Sequence, residues 1–185
     1  LVLLEKKRCV LARVSFPDQK NISSELNETF ERIAKNGGHV LNLFKIMAHC
    51  PKIGRRFLQL GNAILFQGVL PPHLRELAIL RVGSINKAKY EWTQHVPIAL
   101  RAGVRQEQID ALPDWKKSNE FDDIEKALLA YTDEETLNIR VLEETFNNVR
   151  KHFSEEEVVE VTTTIAYYGM VCRILEALQI ELEKD

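Results

Sequence analysis

The chain has 185 residues, 45% of them hydrophobic and 28% charged, with a formal net charge of −2. That length and apolar content support one domain, or at most two small ones, with a real core. The near-balanced, interspersed charge excludes the basic stripe of a nucleic-acid binder and the composition of a disordered chain, and no run of about 18 uncharged apolar residues predicts a membrane span.

The first residues, Leu1 to Arg8, place their charges after four apolar side chains, the reverse of a signal peptide. Cys9 to Phe16 is a weak strand candidate, and residues 1–22 read as an N-terminal extension to a helical domain over 23–185. Ser23 or Ser24 caps a helix that runs to about Asn36, where Gly37 and Gly38 stop it. Leu41 to His49 reads as a short amphipathic turn or helix, and Pro51 restarts the chain at a favoured first helical position through about Phe66. After the connector around Pro71, Pro72 opens a helix to about Asn86. A second helix, Ala88 to Ala102, ends at Gly103, and Arg105 to Leu112 forms a shorter one. The loop Pro113 to Glu120 is the candidate hinge. Phe121 to about Thr136 and Val141 to His152 are helical. Ser154 and Glu157 then make a capping box that opens the longest helix, which reaches about Leu178. Its longest charge-free tract, Val161 to Cys172, is expected to be buried. The class is all-α, with about seven to eight helices.

The three cysteines, Cys9, Cys50 and Cys172, are odd in number and widely spaced, and none sits in a Cys-x-x-Cys. A disulfide scaffold is therefore not expected, and a reducing, cytoplasmic setting fits best. Cys50 and Cys172 read as buried small residues.

Chemistry concentrates between Arg75 and His95. On a helical wheel of Ala88 to Ala102, the apolar arc holds Ala88, Trp92, Val96, Ile98, Ala99 and Ala102. Glu91 and His95 fall inside that arc, four residues apart and facing each other. A carboxylate and an imidazole on an apolar face are costly unless bonded or used. Glu76 repeats the anomaly on the preceding helix, which is apolar almost all round. It shares a face with Gly83, where a neighbouring helix can approach. Antiparallel packing across a turn near Asn86 would bring Glu76 to the height of His95. Each feature also has a plainer reading: Glu91 and His95 as a structural hydrogen bond, Glu76 as a salt bridge beside Arg75, and Tyr90, Trp92, Tyr167, Tyr168 and Met170 as packing.

These residues resemble a family. The string PPHLRELAILRV at 71–82, YEWTQHVPIA at 90–99 and AGV at 102–104 are similar to the carboxymuconolactone decarboxylase family within the wider AhpD-like group. NLFK at 42–45, AHCP at 48–51, EKALLAY at 125–131 and IAYYGMVCR at 165–173 extend the likeness over roughly Glu25 to Leu178. Peroxidase-type members carry a Cys-x-x-Cys whose positions are Ala88 and Glu91 here, so the resemblance implies no thiol relay. The decarboxylase-type pattern, a Glu and a His at i and i+4, is kept. It implies an AhpD-like helical bundle, a homo-oligomer (trimer or hexamer) and a cofactor-independent lyase acting on a small unsaturated cyclic acid or lactone. His95 would give or take the proton, Glu91 would orient it, and Glu76 would bind substrate or serve as a second acid. Trp92 and Tyr90 would line the pocket, and Arg173 would pair with a substrate anion. The alternatives are an isomerase or dehydratase on the same scaffold, a non-catalytic oligomeric member, and a metal held by two carboxylates and a histidine, although no metal or other cofactor is expected. No nucleic acid or membrane partner is expected.

Overall fold

The computed structural model describes residues 12–183, and nine α-helices lie among them with no strand. They are α1 (Ser24–Lys35), α2 (Asn42–Met47), α3 (Pro51–Phe66), α4 (Pro72–Ile85), α5 (Lys89–Arg101), α6 (Gln106–Ala111), α7 (Asp123–Asn138), α8 (Glu143–Val149) and α9 (Glu155–Leu178). The count exceeds seven to eight because α2, α6 and α8 have only six, six and seven residues, a length at which sequence cannot separate a helix from a turn. Within the strand candidate, residues 12–16 form bends and irregular chain, and the remainder lies outside the described residues.

The chain divides into two compact units. One holds the described residues up to Leu58 together with the segment from Ala177, and the other is Gln59–Glu176. In the first unit, Leu26, Phe30 and Ala48 form an apolar cluster joined by Ile22, Val40, Phe44 and Leu58. Ser23 caps α1 by accepting from the Leu26 amide. The Arg13 amide donates to the Leu178 carbonyl at 2.7 Å, and the buried Asn42 side chain donates to the Glu181 carbonyl at 3.0 Å. These bonds tie the residues before α1 to the end of the chain.

The second unit is built around α4, in which every residue from Leu74 to Leu80 is buried, with Val82 and Gly83. A helix apolar on all sides belongs in an interior, and α4 packs against both α5 and α7. Pro72 starts it. The carboxylate of Glu160, on α9, accepts from the Val69 and Leu70 amides just before it. The α4–α5 turn is tight: the Ala88 amide donates to the Gly83 carbonyl, and Lys87 takes a left-handed φ of 54°. Gly103, with φ of 100°, ends α5 as expected.

Two capping boxes punctuate the second half. Ser154 and Glu157 exchange bonds of 2.8 and 3.2 Å at the start of α9. Asp122 and Glu125 do the same at α7, a signal not anticipated from sequence. The expected hinge after Leu112 is instead a 3-10 turn, Leu112–Lys117, with Leu112 and Trp115 buried. The Trp115 indole donates to Asp133 at 3.1 Å, and Arg81 bonds Asp133 at 2.6 Å and the Leu112 and Pro113 carbonyls at 3.1 Å. α9 is long and apolar enough to cross a membrane by composition, yet over half of that stretch is buried within the helical fold.

Candidate active site

The polar side chains singled out in α4 and α5 meet. Gly83 lies against the first turns of α5: a Cβ placed there would stand 3.7 Å from the Trp92 backbone nitrogen and 3.8 Å from the Glu91 Cβ. Moving back along α4 from Gly83 to Glu76 corresponds to moving forward along α5 from Glu91 to His95, so the helices are antiparallel. Glu76, with no exposed surface, has its Oε2 2.8 Å from His95 Nδ1. Glu91 Oε1 lies 3.0 Å from His95 Nε2. His95 is thus held between two carboxylates, one on each ring nitrogen. Two simultaneous hydrogen bonds to acceptor-only groups require both nitrogens to carry protons.

Electrostatics agree with that assignment. Burial alone would lower the His95 pKa, but hydrogen bonds to Glu76 and Glu91, and their negative charges, outweigh it and raise the value from 6.5 to about 9. At neutral pH the ring is an imidazolium, an acid rather than a base.

Further side chains complete the setting. Arg75 Nε donates to Glu76 Oε1 at 3.3 Å from a nearly buried guanidinium. Tyr168, on α9, stands edge-on to His95 with ring centres 5.0 Å apart, and Tyr167 stands edge-on to Tyr168 at 5.3 Å. Burial, followed by the charges of Glu91 and Glu76, pushes the Tyr168 hydroxyl well above 10, and Arg75 offsets part of that rise. Cys172, also on α9, is pushed up to about 12 by burial and by Glu91, so it is a protonated thiol.

The sequence-based site residues separate into those brought together and those left apart. Glu76, Glu91 and His95 converge. Tyr90 is buried and Trp92 half-buried, flanking Glu91 along the chain. The buried positions of α5 are Tyr90, Glu91, His95 and Ala99, so the apolar arc was centred too far toward Trp92, Val96 and Ile98, all half-buried. Arg173 is a correction: it is exposed, and its Nη1 donates to the Gly169 carbonyl one turn earlier at 2.8 Å. A long side chain on a helix finds that carbonyl within reach of its own stem. The cation beside the carboxylates is Arg75. The sequence offered Arg75 only as a salt-bridge partner of Glu76, a contact the structure shows, and not as a site residue, and it set Tyr168 aside as packing. The aromatic pair at 167–168, in a segment already quoted for the resemblance, was the available signal. Cys50 is exposed rather than buried, and Cys172 is buried as expected. The idea of a metal held by the trio lacks support in the geometry, because His95 spends a different nitrogen on each carboxylate. Among the described residues no group of three His, Cys, Asp or Glu is arranged to hold an ion.

The helical fold is of the AhpD-like type. Over 95% of this chain and 94% of the other, it superposes on the AhpD core of an uncharacterized peroxidase-related protein from Ralstonia eutropha JMP134, with a TM-score of 0.82 and 18% identity. The debrominase Bmp8 in its apo form covers 95% of this chain and 92% of its own, with a TM-score of 0.77 and 20% identity. At such identities the likeness is one of fold. Residues 51–134, which contain Glu76, Glu91 and His95, match the model of the carboxymuconolactone decarboxylase family. The uncharacterized protein YdfG of Bacillus subtilis (strain 168) is 30% identical over 93 residues, 49% of this chain; the match spans 63% of that relative's length.

Proposed function

We infer that the Glu76–His95–Glu91 cluster is the active site of a cofactor-independent lyase of decarboxylase type, acting on a small unsaturated cyclic acid or lactone. The observation that supports this reading most is a buried imidazolium gripped by two carboxylates in the segment that carries the family match. In such a reaction the bond from ring carbon to carboxylate breaks and its electron pair delocalises into a conjugated carbonyl as an enolate. Carbon dioxide departs, and the carbon takes one proton. His95 supplies that proton, then regains one from solvent, so the cycle closes. Glu76, fully buried and also bonded by Arg75, holds Nδ1 and fixes the ring. The Nε2–H shared with Glu91 faces the less sealed side, since Glu91 keeps a little surface and Glu76 none. That pair is the proton donor. Neighbouring Tyr168 excludes water, which strengthens polar contacts to the developing enolate. Positions 88 and 91, Ala and Glu, offer no thiol for peroxidase chemistry.

The test is turnover of a panel of unsaturated cyclic acids and lactones, followed by carbon dioxide release and product mass. His95→Gln is expected to slow the reaction at least about 100-fold, and Glu91→Gln about tenfold. Turnover that survives both substitutions removes these residues from the chemistry. A competing structural reading draws on the closure of both His95 nitrogens. It predicts that the same variants lose stability while the parent protein turns over nothing in the panel. The half-buried apolar side chains Trp92, Val96 and Ile98 on α5 support a homo-oligomer, trimeric or hexameric, that covers them; light scattering reads its mass.

A further inference from the structure

Arg75 is anomalous in its hydrogen bonding. Its side chain keeps only 9% of its surface, yet a single bond, Nε to Glu76 at 3.3 Å, is formed with the described residues. A guanidinium carries five N–H donors in a planar fork, so both terminal nitrogens, four donors, remain uncommitted. Neither terminal nitrogen is among the fully buried side-chain atoms that lack a partner, so the fork meets the little surface Arg75 keeps, and an arginine kept solely to neutralise Glu76 would be expected to use its fork on the carboxylate in the bidentate manner. Here only the side nitrogen engages, at a long distance, and the fork is left over.

Arg75 is not alone. The Tyr168 side chain is buried, its ring rests edge-on to His95, and its hydroxyl has no hydrogen-bond partner among the described residues. The charges facing this region are Arg75 and Glu76 from α4 and His95 and Glu91 from α5, with the Tyr167, Tyr168 and Cys172 side chains contributed by α9. With His95 protonated, two cations and two carboxylates cancel, so the cluster carries no net negative charge to repel an incoming anion. Three of the four carboxylate oxygens are bonded to Arg75 or His95, and the uncommitted groups on Arg75 and Tyr168 are donors. Such a set fits a ligand that brings planar, paired oxygens.

We propose that Arg75, through its two terminal nitrogens, forms the carboxylate-binding subsite for the ligand of this site, with the Tyr168 hydroxyl as a second donor. The ligand class is a small monoanionic carboxylic acid, held beside His95 by a fork–carboxylate pair. This assignment rests on the reading of the Glu76–His95–Glu91 cluster as the working site, but it concerns binding and does not depend on which bond is broken.

The probe is 2-furoate, a flat ring carboxylate, against its neutral amide, 2-furamide, titrated by calorimetry into the purified full chain where weak binding on the order of 1 mM registers. Furoate is expected to bind at least about tenfold more tightly than furamide. Arg75→Lys keeps a positive charge next to Glu76 but removes the fork, and it is expected to weaken furoate at least about tenfold while leaving furamide unchanged. Tyr168→Phe should weaken furoate a few-fold. In the parent protein, furoate should shift the nitrogen resonances of the Arg75 guanidinium, a readout that holds even where a variant fails to fold. Equal binding of acid and amide, no binding of either, furoate affinity unchanged in Arg75→Lys, or unmoved Arg75 resonances would each overturn the assignment. Arg75-dependent binding without turnover of any acid retains the subsite and removes the lyase. Turnover that is indifferent to Arg75→Lys does the reverse.

Discussion

His95 couples the stability of the fold to pH in the direction opposite to a buried neutral histidine. Its folded pKa, about 9, lies above its ordinary 6.5. The folded chain therefore holds the proton more tightly than the unfolded chain, and that stabilisation is complete below pH 6.5 and lost as pH rises through 9. A shift of this size corresponds to about 3 kcal/mol, taken as an order of magnitude. Denaturant titrations across that range should show stability falling with pH in the parent protein and a flatter profile in His95→Asn; parallel profiles would dissociate His95 from the effect. Glu76→Ala should be the most costly single change in the cluster, about 3 kcal/mol or more, because it leaves two cations without their buried partner. Thermal melts at neutral pH compare it with Glu91→Gln, which keeps an acceptor for Nε2 and should lose far less. At this scale the sequence was informative where periodicity applied. Glu91 and His95 were paired by helical spacing, and Glu76 stood out as a charge on an apolar helix. Arg75 was read as a salt-bridge partner of Glu76 but not as part of the site, and Arg173 misled because a charge near the right segment says nothing of where a long side chain folds.

At the scale of elements, the α4–α5 hairpin sets the site, and Gly83 marks where its helices come close. A methyl group there meets the Trp92 nitrogen and Glu91 Cβ at ordinary contact distances of 3.7 and 3.8 Å. Gly83→Ala is therefore expected to be neutral or to stabilise by up to about 1 kcal/mol, since alanine favours the helix. A drop in melting temperature would mean the helices pack more tightly than these distances. Helix starts and stops were largely readable, as the Ser23 cap, Pro72, Gly103 and the Ser154–Glu157 box demonstrate, because each acts within one turn of chain. The segment after Leu112 was not. Its proline and charges resemble a loop, yet Trp115 and Leu112 are buried, and burial is decided by partners far along the chain.

For the molecule as a whole, Asp133 shows how distant parts are joined. Its carboxylate on α7 accepts from Arg81 on α4 and from the Trp115 indole, with Lys116 at 3.4 Å. Asp133→Ala strands a largely buried arginine and an indole N–H, and should cost about 3 kcal/mol, read as a lowered denaturation midpoint. Arg81 is thereby committed to structure. The sequence by itself determined the all-α class, the approximate helix boundaries, the family-like segment and the Glu–His spacing, because these depend on patterns that repeat every few residues. Only the tertiary structure decided that Glu76 closes on His95 from another helix, that Arg75 rather than Arg173 stands at the carboxylates, and that Tyr168 from α9 faces the imidazole. Those contacts depend on how separate helices are rotated and aligned against one another, and no local pattern in the chain encodes that alignment.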